Sequence, residues 1–239
     1  MSGRIVLVTG GNRGIGLACA QAFVKQGDRV VVTYRSSAPA ELDGENVLAV
    51  RCDVTSAEDV DALFKTVEET WGPVEVLVAN AGITQDTLLM RMSEDQWDAV
   101  LDTNLKAAWR CAKAASRGMM RAKNGRMVFI SSIVGYYGSP GQTNYAASKA
   151  GLIGLARSIT RELGGKGITA NVVAPGPVQT DMMDALGEEG AARLTELVPL
   201  KRAATTEEVA AAVTFLASPE ASFISGAVLP VDGGAGMGN

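Results

Sequence analysis

Short apolar runs recur along the whole chain, and the segments between them repeat apolar residues at helical spacing. Most of the runs are apolar at consecutive positions, which is typical of strands buried on both faces of a parallel sheet. We predict seven strands: "RIVLVTG" (4–10), "RVVVTYR" (29–35), "NVLAVRC" (46–52), "VEVLVANAG" (74–82), "GRMVFISS" (125–132), "GITANVVAPG" (167–176) and "GAVLPVDGG" (226–234).

The intervening segments carry signals for the start and end of helices. Ser56 is predicted to cap "AEDVDALFKTVEETWG", with Asp59 three residues on as a loose capping box and Gly72 just past the end. Thr205 or Thr206 starts another helix, which stops before a proline. Strand–helix alternation over residues 1–239 predicts one α/β domain. We expect a Rossmann-type, doubly wound parallel sheet of about seven strands with helices on both faces.

Composition narrows the class of protein. The chain has 239 residues, of which 47% are hydrophobic and 20% charged, as is typical of a globular protein. Its net charge of −4 does not indicate the basic surface that binds nucleic acid. No apolar run approaches the roughly 18 residues of a membrane span, so we expect no membrane attachment. Cys19, Cys52 and Cys111 are widely spaced without a CxxC pair. This pattern predicts buried thiols in a reducing, cytoplasmic setting, with neither disulfides nor a metal site.

Histidine is absent from the sequence. The absence removes the commonest general acid–base group and every catalytic arrangement that depends on it. Proton transfer must then use tyrosine, lysine or a carboxylate. Doubly wound sheets bind ligands beyond the carboxyl ends of their strands, so the residues after each strand are the candidates.

A glycine-rich turn, "TGGNRGIG", follows the first strand. Gly10, Gly14 and Gly16 permit a tight turn and a close approach of backbone to ligand. The start of the next helix would then present amide donors to a diphosphate. The alternative is a glycine-rich turn that binds nothing.

The residues after the second and third strands bear on the choice of cofactor. No acid stands between positions 30 and 40, where an NAD site usually has one, whereas Arg35 is present and Arg13 can approach from the glycine turn. Two guanidiniums suit the 2′-phosphate of NADPH, and the alternative is two solvated surface arginines. Asp53 follows the third strand as an acceptor for an adenine amino group or, equally, as an acid at a helix start.

Later strands place further candidates at the same edge. Ala81 and Gly82 let the backbone pass close to a cofactor. Asn104 lies in mid-helix, where its low propensity needs a reason, such as an amide bonded to neighbouring backbone. Tyr145 and Lys149 are i and i+4 on one helix and project from one face. A nearby ammonium favours the phenolate, so we expect Lys149 to lower the pKa of Tyr145 from about 10.

These motifs together resemble the short-chain dehydrogenases/reductases over the full chain. The matches are "TGGNRGIG", "ANAG", Asn104, Ser132, "YAASK" and "APGPVQT", in that order. Within the family, "GITQDTLLMRM", "GQTNYAASKAGLIGLARS" and "ITANVVAPGPVQTDM" are similar to the 3-oxoacyl-[acyl-carrier-protein] reductases of fatty acid synthesis. One departure is Ala79, where the family commonly has a second asparagine.

The resemblance implies a role for each matched residue. Ser132 would hold the substrate carbonyl oxygen and Tyr145 would protonate it. Lys149 would also bind the nicotinamide ribose, and Asn104 would position a water. NADPH would be the cofactor, with the remaining contacts from residues that follow the strands: Gly10, Asn12, Arg13, Gly14, Ile15, Gly16, Arg35, Asp53, Val54, Asn80, Ala81, Gly82, Pro175, Gly176, Val178 and Thr180.

The resemblance also implies partners. It predicts a homotetramer built on the helices around 94–119 and 145–163 and on the last strand. An acyl carrier protein would dock near the cleft mouth at Lys123 and Lys166, whose alternative is a pair of solvated loop lysines. Residues 178–200, in which Met182, Met183, Leu186, Leu194 and Leu197 recur at helical spacing, would form a packed helical pair, a substrate lid, or both.

Overall fold

Seven parallel strands form a single sheet in the computed structural model, which describes residues 3–184 and 187–237. The strand order is β3-β2-β1-β4-β5-β6-β7. The first three strands are therefore added toward one edge of the sheet, and β4 to β7 are added on the other side of β1. Each strand lies within its predicted run, which confirms the α/β fold class. The strands are β1 Ile5–Val8, β2 Arg29–Tyr34, β3 Val47–Arg51, β4 Val76–Ala79, β5 Gly125–Ile130, β6 Ile168–Pro175 and β7 Val228–Val231.

Helices connect the strands and cover both faces of the sheet. In chain order they are α1 Gly14–Lys25, α2 Ala57–Thr70, α3 Glu94–Leu101, α4 Ala107–Ala122, α5 Val134–Tyr137, α6 Thr143–Leu163, α7 Asp181–Asp184, α8 Gly187–Glu196 and α9 Thr206–Leu216. Helices α2, α4 and α6 pack on one face of the sheet, and α1 and α9 pack on the other.

Strand β1 shows why the strands read as continuous apolar runs. Ile5 and Leu7 belong to the core beneath α2, α4 and α6. Val6 and Val8 belong to the core beneath α1 and α9. Because successive side chains point to opposite faces, a strand between two helical layers must be apolar at every position.

Both predicted helix starts are present, but at α2 the Asp59 carboxylate bonds a residue other than the cap residue. Ser56 Oγ accepts a hydrogen bond from the Asp59 amide at 3.1 Å, as predicted. The Asp59 carboxylate, however, accepts from the Asp53 amide at 2.9 Å. It therefore joins α2 to the end of β3. At α9 the capping residue is Thr205, in a complete capping box with Glu208.

A π-helical turn, Asp102–Lys106, joins α3 to α4 and was not predicted. Such turns insert a residue into a helix and are frequent at functional sites. All three cysteines are unpaired and buried, as expected. No helix among the described residues combines the length and apolar character needed to cross a membrane.

The segment 178–200 forms the short helices α7 and α8 on the surface. Helices α7 and α8 contact each other, although Leu194 is 38% exposed and Leu197, which follows α8, is 75% exposed. Leu186 lies outside the described residues. A substrate lid in this segment stays a prediction.

Candidate active site

The glycine-rich turn lies at the topological switch point of the sheet, between the carboxyl ends of β1 and β4. Asn80 Nδ2, at the end of β4, donates to the carbonyls of Thr9 and Gly10 at 3.0 and 3.1 Å. Gly10 has a φ of +63°, which favours glycine. A Cβ on Gly16 would collide with the Gly10 carbonyl oxygen. The glycines therefore let α1 begin directly against β1 and Asn80.

The amino end of α1 is suited to an anion. Its cap residue, Arg13, makes no side-chain capping bond, and the first turn contains no acid. The helix dipole and the first-turn amides are therefore not neutralised by a carboxylate. The Thr180 methyl group lies 3.5 Å from the position of a Cβ on Gly14, so the segment after β6 borders this turn.

The candidate cofactor-selecting residues are exposed around this turn. Arg35 is exposed directly after β2. The Arg13 guanidinium pairs with the Asp181 carboxylate at 3.1 Å, and the two side chains are 74% and 73% exposed. Exposed pairs of this kind contribute little, so Arg13 remains available to another anion.

Asp53 closes the turn that leads into α2. One of its carboxylate oxygens accepts from the Thr55 hydroxyl at 2.6 Å and from the Thr55 amide at 2.9 Å. These bonds lower the pKa of Asp53, and the nearby Arg35 and Arg110 lower it further. Asp53 thus stabilises the turn before Ser56, the cap residue of α2, whereas the acids of the first helical turn are Glu58 and Asp59. The proximity of Asp53 to Arg35 leaves it beside the candidate cofactor site.

The remaining candidate cofactor residues border the same edge of the sheet. They follow the carboxyl ends of three strands: Asn12 and Ile15 after β1, Val54 after β3, and Gly176 and Val178 after Pro175 at the end of β6. Val178 bridges Ala204, which fixes the entry to α7.

Gly82 faces two of the predicted catalytic residues. A Cβ at this position would lie 3.2 Å from Asn104 Oδ1 and 3.4 Å from Lys149 Nζ. Gly82 itself is exposed, and a side chain here would crowd Asn104, so glycine keeps this edge of the sheet accessible. This cradle fits the close backbone approach expected of a nicotinamide dinucleotide.

The buried side chain of Asn104 is committed to protein partners. Its Oδ1 accepts from the Ile83 amide at 2.8 Å, and its Nδ2 donates to the Ile83 carbonyl at 3.0 Å and to Ser148 Oγ at 3.1 Å. The amide thus bonds to backbone, as one reading of the sequence proposed. Asn104 joins the loop after β4 to helix α6.

Tyr145 and Lys149 share one side of α6, as predicted from their spacing. The Lys149 Nζ lies 5.5 Å from the centre of the Tyr145 ring. Lys149 is 4% exposed, and its ammonium donates to the Ile130 carbonyl at 2.8 Å. Burial lowers the pKa of Lys149 to about 8.

The expected lowering of the Tyr145 pKa is wrong for this structure. Burial raises the pKa of Tyr145 to about 12, a hydrogen bond with Ser132 offsets part of the rise, and the Asp86 carboxylate adds to it. The physical reason is that the phenolate would lose more hydration than its neighbours replace. Lys149, itself desolvated, does not reverse this balance. Ser132 is nevertheless close enough to the Tyr145 hydroxyl to affect its pKa, so the two predicted catalytic side chains are brought together.

Several residues that hold this arrangement were missed from the sequence. Asn144 and Ser148 are both fully buried polar residues on α6, and Ser131 Oγ donates to the Lys149 carbonyl at 2.8 Å. The sequence signal for Asn144 and Ser148 is a polar residue at a position that the apolar pattern of α6 predicts to be buried.

Lys123 and Lys166 lie together, but not at the cleft. A Cβ on Gly167, next to Lys166, would collide with the Lys123 carbonyl oxygen. Both lysines precede strands, β5 and β6, whereas the candidate site lies beyond the carboxyl ends of those strands. At about 3.3 Å per residue, the two edges are roughly 17 Å apart along β5. The expectation that these lysines flank the mouth of this chain's own cleft is therefore wrong, and docking at them stays a prediction.

Comparisons with known proteins give one consistent family. A short-chain dehydrogenase family model described as enoyl-(acyl carrier protein) reductase matches residues 10–236. The chain is 56% identical to the 3-oxoacyl-[acyl-carrier-protein] reductase MabA of Mycobacterium tuberculosis over 237 residues, 99% of this chain and 94% of that protein. It is 45% identical to the 3-oxoacyl-[acyl-carrier-protein] reductase FabG of Vibrio harveyi over 238 residues, 98% of each chain. The sheet order, the glycine turn, the placement of Tyr145 and Lys149 on one side of α6 and this similarity over the whole length establish that the chain belongs to the short-chain dehydrogenase/reductase family.

Proposed function

We propose that this protein reduces 3-oxoacyl-[acyl-carrier-protein] to the 3-hydroxyacyl form with NADPH, as a step of fatty acid biosynthesis. The observation that carries the proposal is the contact of Tyr145 with Ser132 beside the buried Lys149. It occurs in a chain that is similar over its whole length to 3-oxoacyl-[acyl-carrier-protein] reductases. A phenol, a hydroxyl and an ammonium can bind and protonate a carbonyl oxygen without histidine, while a nicotinamide cofactor would supply the hydride.

The protein's own residues bind the carbonyl and supply its proton. Ser132 donates a hydrogen bond to the substrate carbonyl oxygen, and Tyr145 protonates that oxygen as negative charge develops on it. A pKa raised to about 12 keeps Tyr145 protonated, which is the form that reduction requires. Lys149 would hold the nicotinamide ribose and would replenish the Tyr145 proton. When bound, NADPH supplies the hydride to the ketone carbon.

The role of Asn104 is structural support for proton transfer. Its side chain is bonded to Ile83 and Ser148, so a water at this residue is held by the remaining lone pair of Oδ1 or by the backbone carbonyl. Asn104 Oδ1 and Lys149 Nζ both lie next to Gly82, at 3.2 and 3.4 Å from the position of a Cβ on that residue. In this proposal that water passes a proton toward Lys149.

Reductases of this family use nicotinamide dinucleotides, and we propose NADPH as the one used here. The support is the exposed Arg35 after β2, the absence of an acid there, and Arg13 at the start of α1. Thr180 lies beside Gly14 and would contact the nicotinamide amide.

We further propose a cytoplasmic homotetramer, in which an acyl carrier protein delivers the substrate. The three buried, unpaired cysteines of this protein accord with a reducing compartment. A groove of about 430 Å³ between α4 and α6 supports self-association, because its lining is largely apolar: Leu101, Asp102, Leu105, Lys106, Trp109 and Leu155. Trp109 is 45% exposed there.

Steady-state kinetics with purified protein test the function. NADPH oxidation is followed with acetoacetyl-carrier protein, with acetoacetyl-CoA, with longer 3-oxoacyl thioesters and with unrelated ketones. Preference for the carrier-protein substrate supports the proposal. Preference for acetoacetyl-CoA or for another ketone would leave the reaction chemistry unchanged and would identify a different substrate. Turnover of a crotonyl thioester alone would identify an enoyl reductase. Binding of NADPH with no turnover would identify a dinucleotide sensor.

A further inference from the structure

Buried side chains hold both peptide groups of Tyr145. The Tyr145 amide donates to Asn144 Oδ1 at 2.7 Å, and its carbonyl accepts from Ser148 Oγ at 2.7 Å. Asn144 and Ser148 are fully buried. Because Tyr145 is in the first turn of α6, its amide has no partner within the helix, and Asn144 supplies one.

Asn144 also connects Tyr145 to two segments that are distant in sequence. Its Nδ2 donates to the Gln85 carbonyl at 3.1 Å and to the Gln96 carbonyl at 3.2 Å. Gln85 lies in the loop after β4, and Gln96 lies in α3. Both amide hydrogens and the carbonyl oxygen of this side chain are therefore used, and none of the three bonds is a backbone–backbone bond of a helix or strand.

Two further hydrogen bonds continue the connection along the same loop. Gln142 Nε2 donates to Asp86 Oδ2 at 2.7 Å, and the Thr87 amide donates to the Gly141 carbonyl at 2.8 Å. Residues 85–87 are thus joined to residues 141–144 immediately before Tyr145. Asn144 makes the bonds nearest the tyrosine and is the one buried member of this set.

We infer that Asn144 is a positioning residue, which fixes the Tyr145 hydroxyl at Ser132 by holding the first turn of α6 to the loop after β4 and to α3. The inference rests on the proposed reductase function. It deepens that function by assigning a residue that touches neither substrate nor cofactor. A displacement of about 1 Å in a reacting group can cost about a hundredfold in rate, so loss of this anchor should lower turnover more than binding.

The chain offers a matched control in Asn171. This asparagine is equally buried and also bridges two segments, with Nδ2 donating to the Ile224 carbonyl at 2.8 Å and Oδ1 accepting from the Ala227 amide at 3.1 Å. It lies in the middle of β6, away from Tyr145. Asn171→Ala therefore removes the same kind of buried interaction without releasing the catalytic helix.

The experiment compares kcat, the KM for NADPH and the melting temperature of Asn144→Ala, Asn144→Ser, Asn171→Ala and the wild type. Both alanine variants should lose similar stability. We expect Asn144→Ala to lose about tenfold to a hundredfold in kcat, with the KM for NADPH within about twofold of wild type. Asn144→Ser keeps a hydroxyl that accepts from the Tyr145 amide and should recover part of the loss. Asn171→Ala should keep kcat within about threefold.

Each other outcome overturns a defined claim. Equal losses of kcat in Asn144→Ala and Asn171→Ala, or no loss in either, would remove the positioning role while leaving the reductase function intact. Failure of both Asn144 variants to fold while Asn171→Ala folds would assign Asn144 a purely structural role. A wild type that reduces no 3-oxo substrate would overturn the proposed function and this inference with it.

Discussion

The Lys149 ammonium lies 5.5 Å from the centre of the Tyr145 ring, on the same side of α6. The pair combines two opposite shifts, because burial lowers the pKa of Lys149 to about 8 and raises that of Tyr145 to about 12. Burial disfavours the charged form of each group. The phenol therefore stays protonated near neutral pH, while the lysine can gain or lose a proton there.

Removing the Tyr145 hydroxyl should abolish most turnover without loss of the fold. Tyr145→Phe should lower kcat by ~10²–10⁴-fold, because proton transfer by a positioned acid typically contributes that much. NADPH binding, measured by fluorescence titration, should stay near wild type. Tyr136→Phe is the control, since it removes a half-buried phenol from the neighbouring α5. Near-normal activity of Tyr145→Phe would rule out the proposed mechanism.

The lowered pKa of Lys149 predicts a pH-dependent stability. Between its native pKa of about 8 and its ordinary value of 10.5, the unfolded chain binds a proton that the folded chain has lost. Wild-type stability should therefore rise with pH in this window, relative to Lys149→Met, by at most roughly 1.4 kcal/mol per pH unit. The cost of burying the ammonium is fully present below pH 8 and is relieved as pH rises.

Urea unfolding of wild type and Lys149→Met from about pH 7 to about pH 9.5 measures this difference. Titration of the three cysteines is common to both proteins and cancels in the comparison. A difference in unfolding free energy that does not change with pH would mean that Lys149 keeps an ordinary pKa.

The exposed Arg35 predicts cofactor preference. Wild type should prefer NADPH, and Arg35→Asp should shift the ratio of kcat/KM toward NADH by about tenfold or more, since a carboxylate would replace the partner of the 2′-phosphate. Arg117→Asp makes the same charge change on the exposed surface of α4, near the opposite edge of the sheet, and should not alter the ratio. Equal use of both cofactors by the wild type would contradict the assignment.

The two lysines before β5 and β6 test carrier-protein docking. The double variant Lys123→Glu with Lys166→Glu should raise the KM for an acyl-carrier-protein substrate by roughly threefold to tenfold, and the wild-type KM should rise with salt. The KM for an N-acetylcysteamine thioester should be unchanged. Since both lysines lie at the far edge of the sheet from Tyr145, this effect requires another subunit's cleft to lie beside them. Parallel losses with both substrates would exclude docking at these residues.

The sequence by itself determined the strands and the order of the site residues. A strand covered on both faces must be apolar at every position, so the runs that become β1 to β7 were visible without tertiary information. The glycine-rich turn and the i, i+4 spacing of Tyr145 and Lys149 are local features, which depend on backbone conformation within a few residues. These features sufficed to predict the fold class and the side of α6 that carries the candidate chemistry.

Only the tertiary structure decided how these residues are held and charged. The direction of the Tyr145 pKa depends on how deeply distant segments bury it, and the partners of Asn104 include Ser148, which is 44 residues away. The location of Lys123 and Lys166 depends on the parallel pairing of β5 and β6. This pairing places the residues before both strands at the edge of the sheet opposite the site. Desolvation and register arise from contacts between remote parts of the chain, so no local pattern contains them.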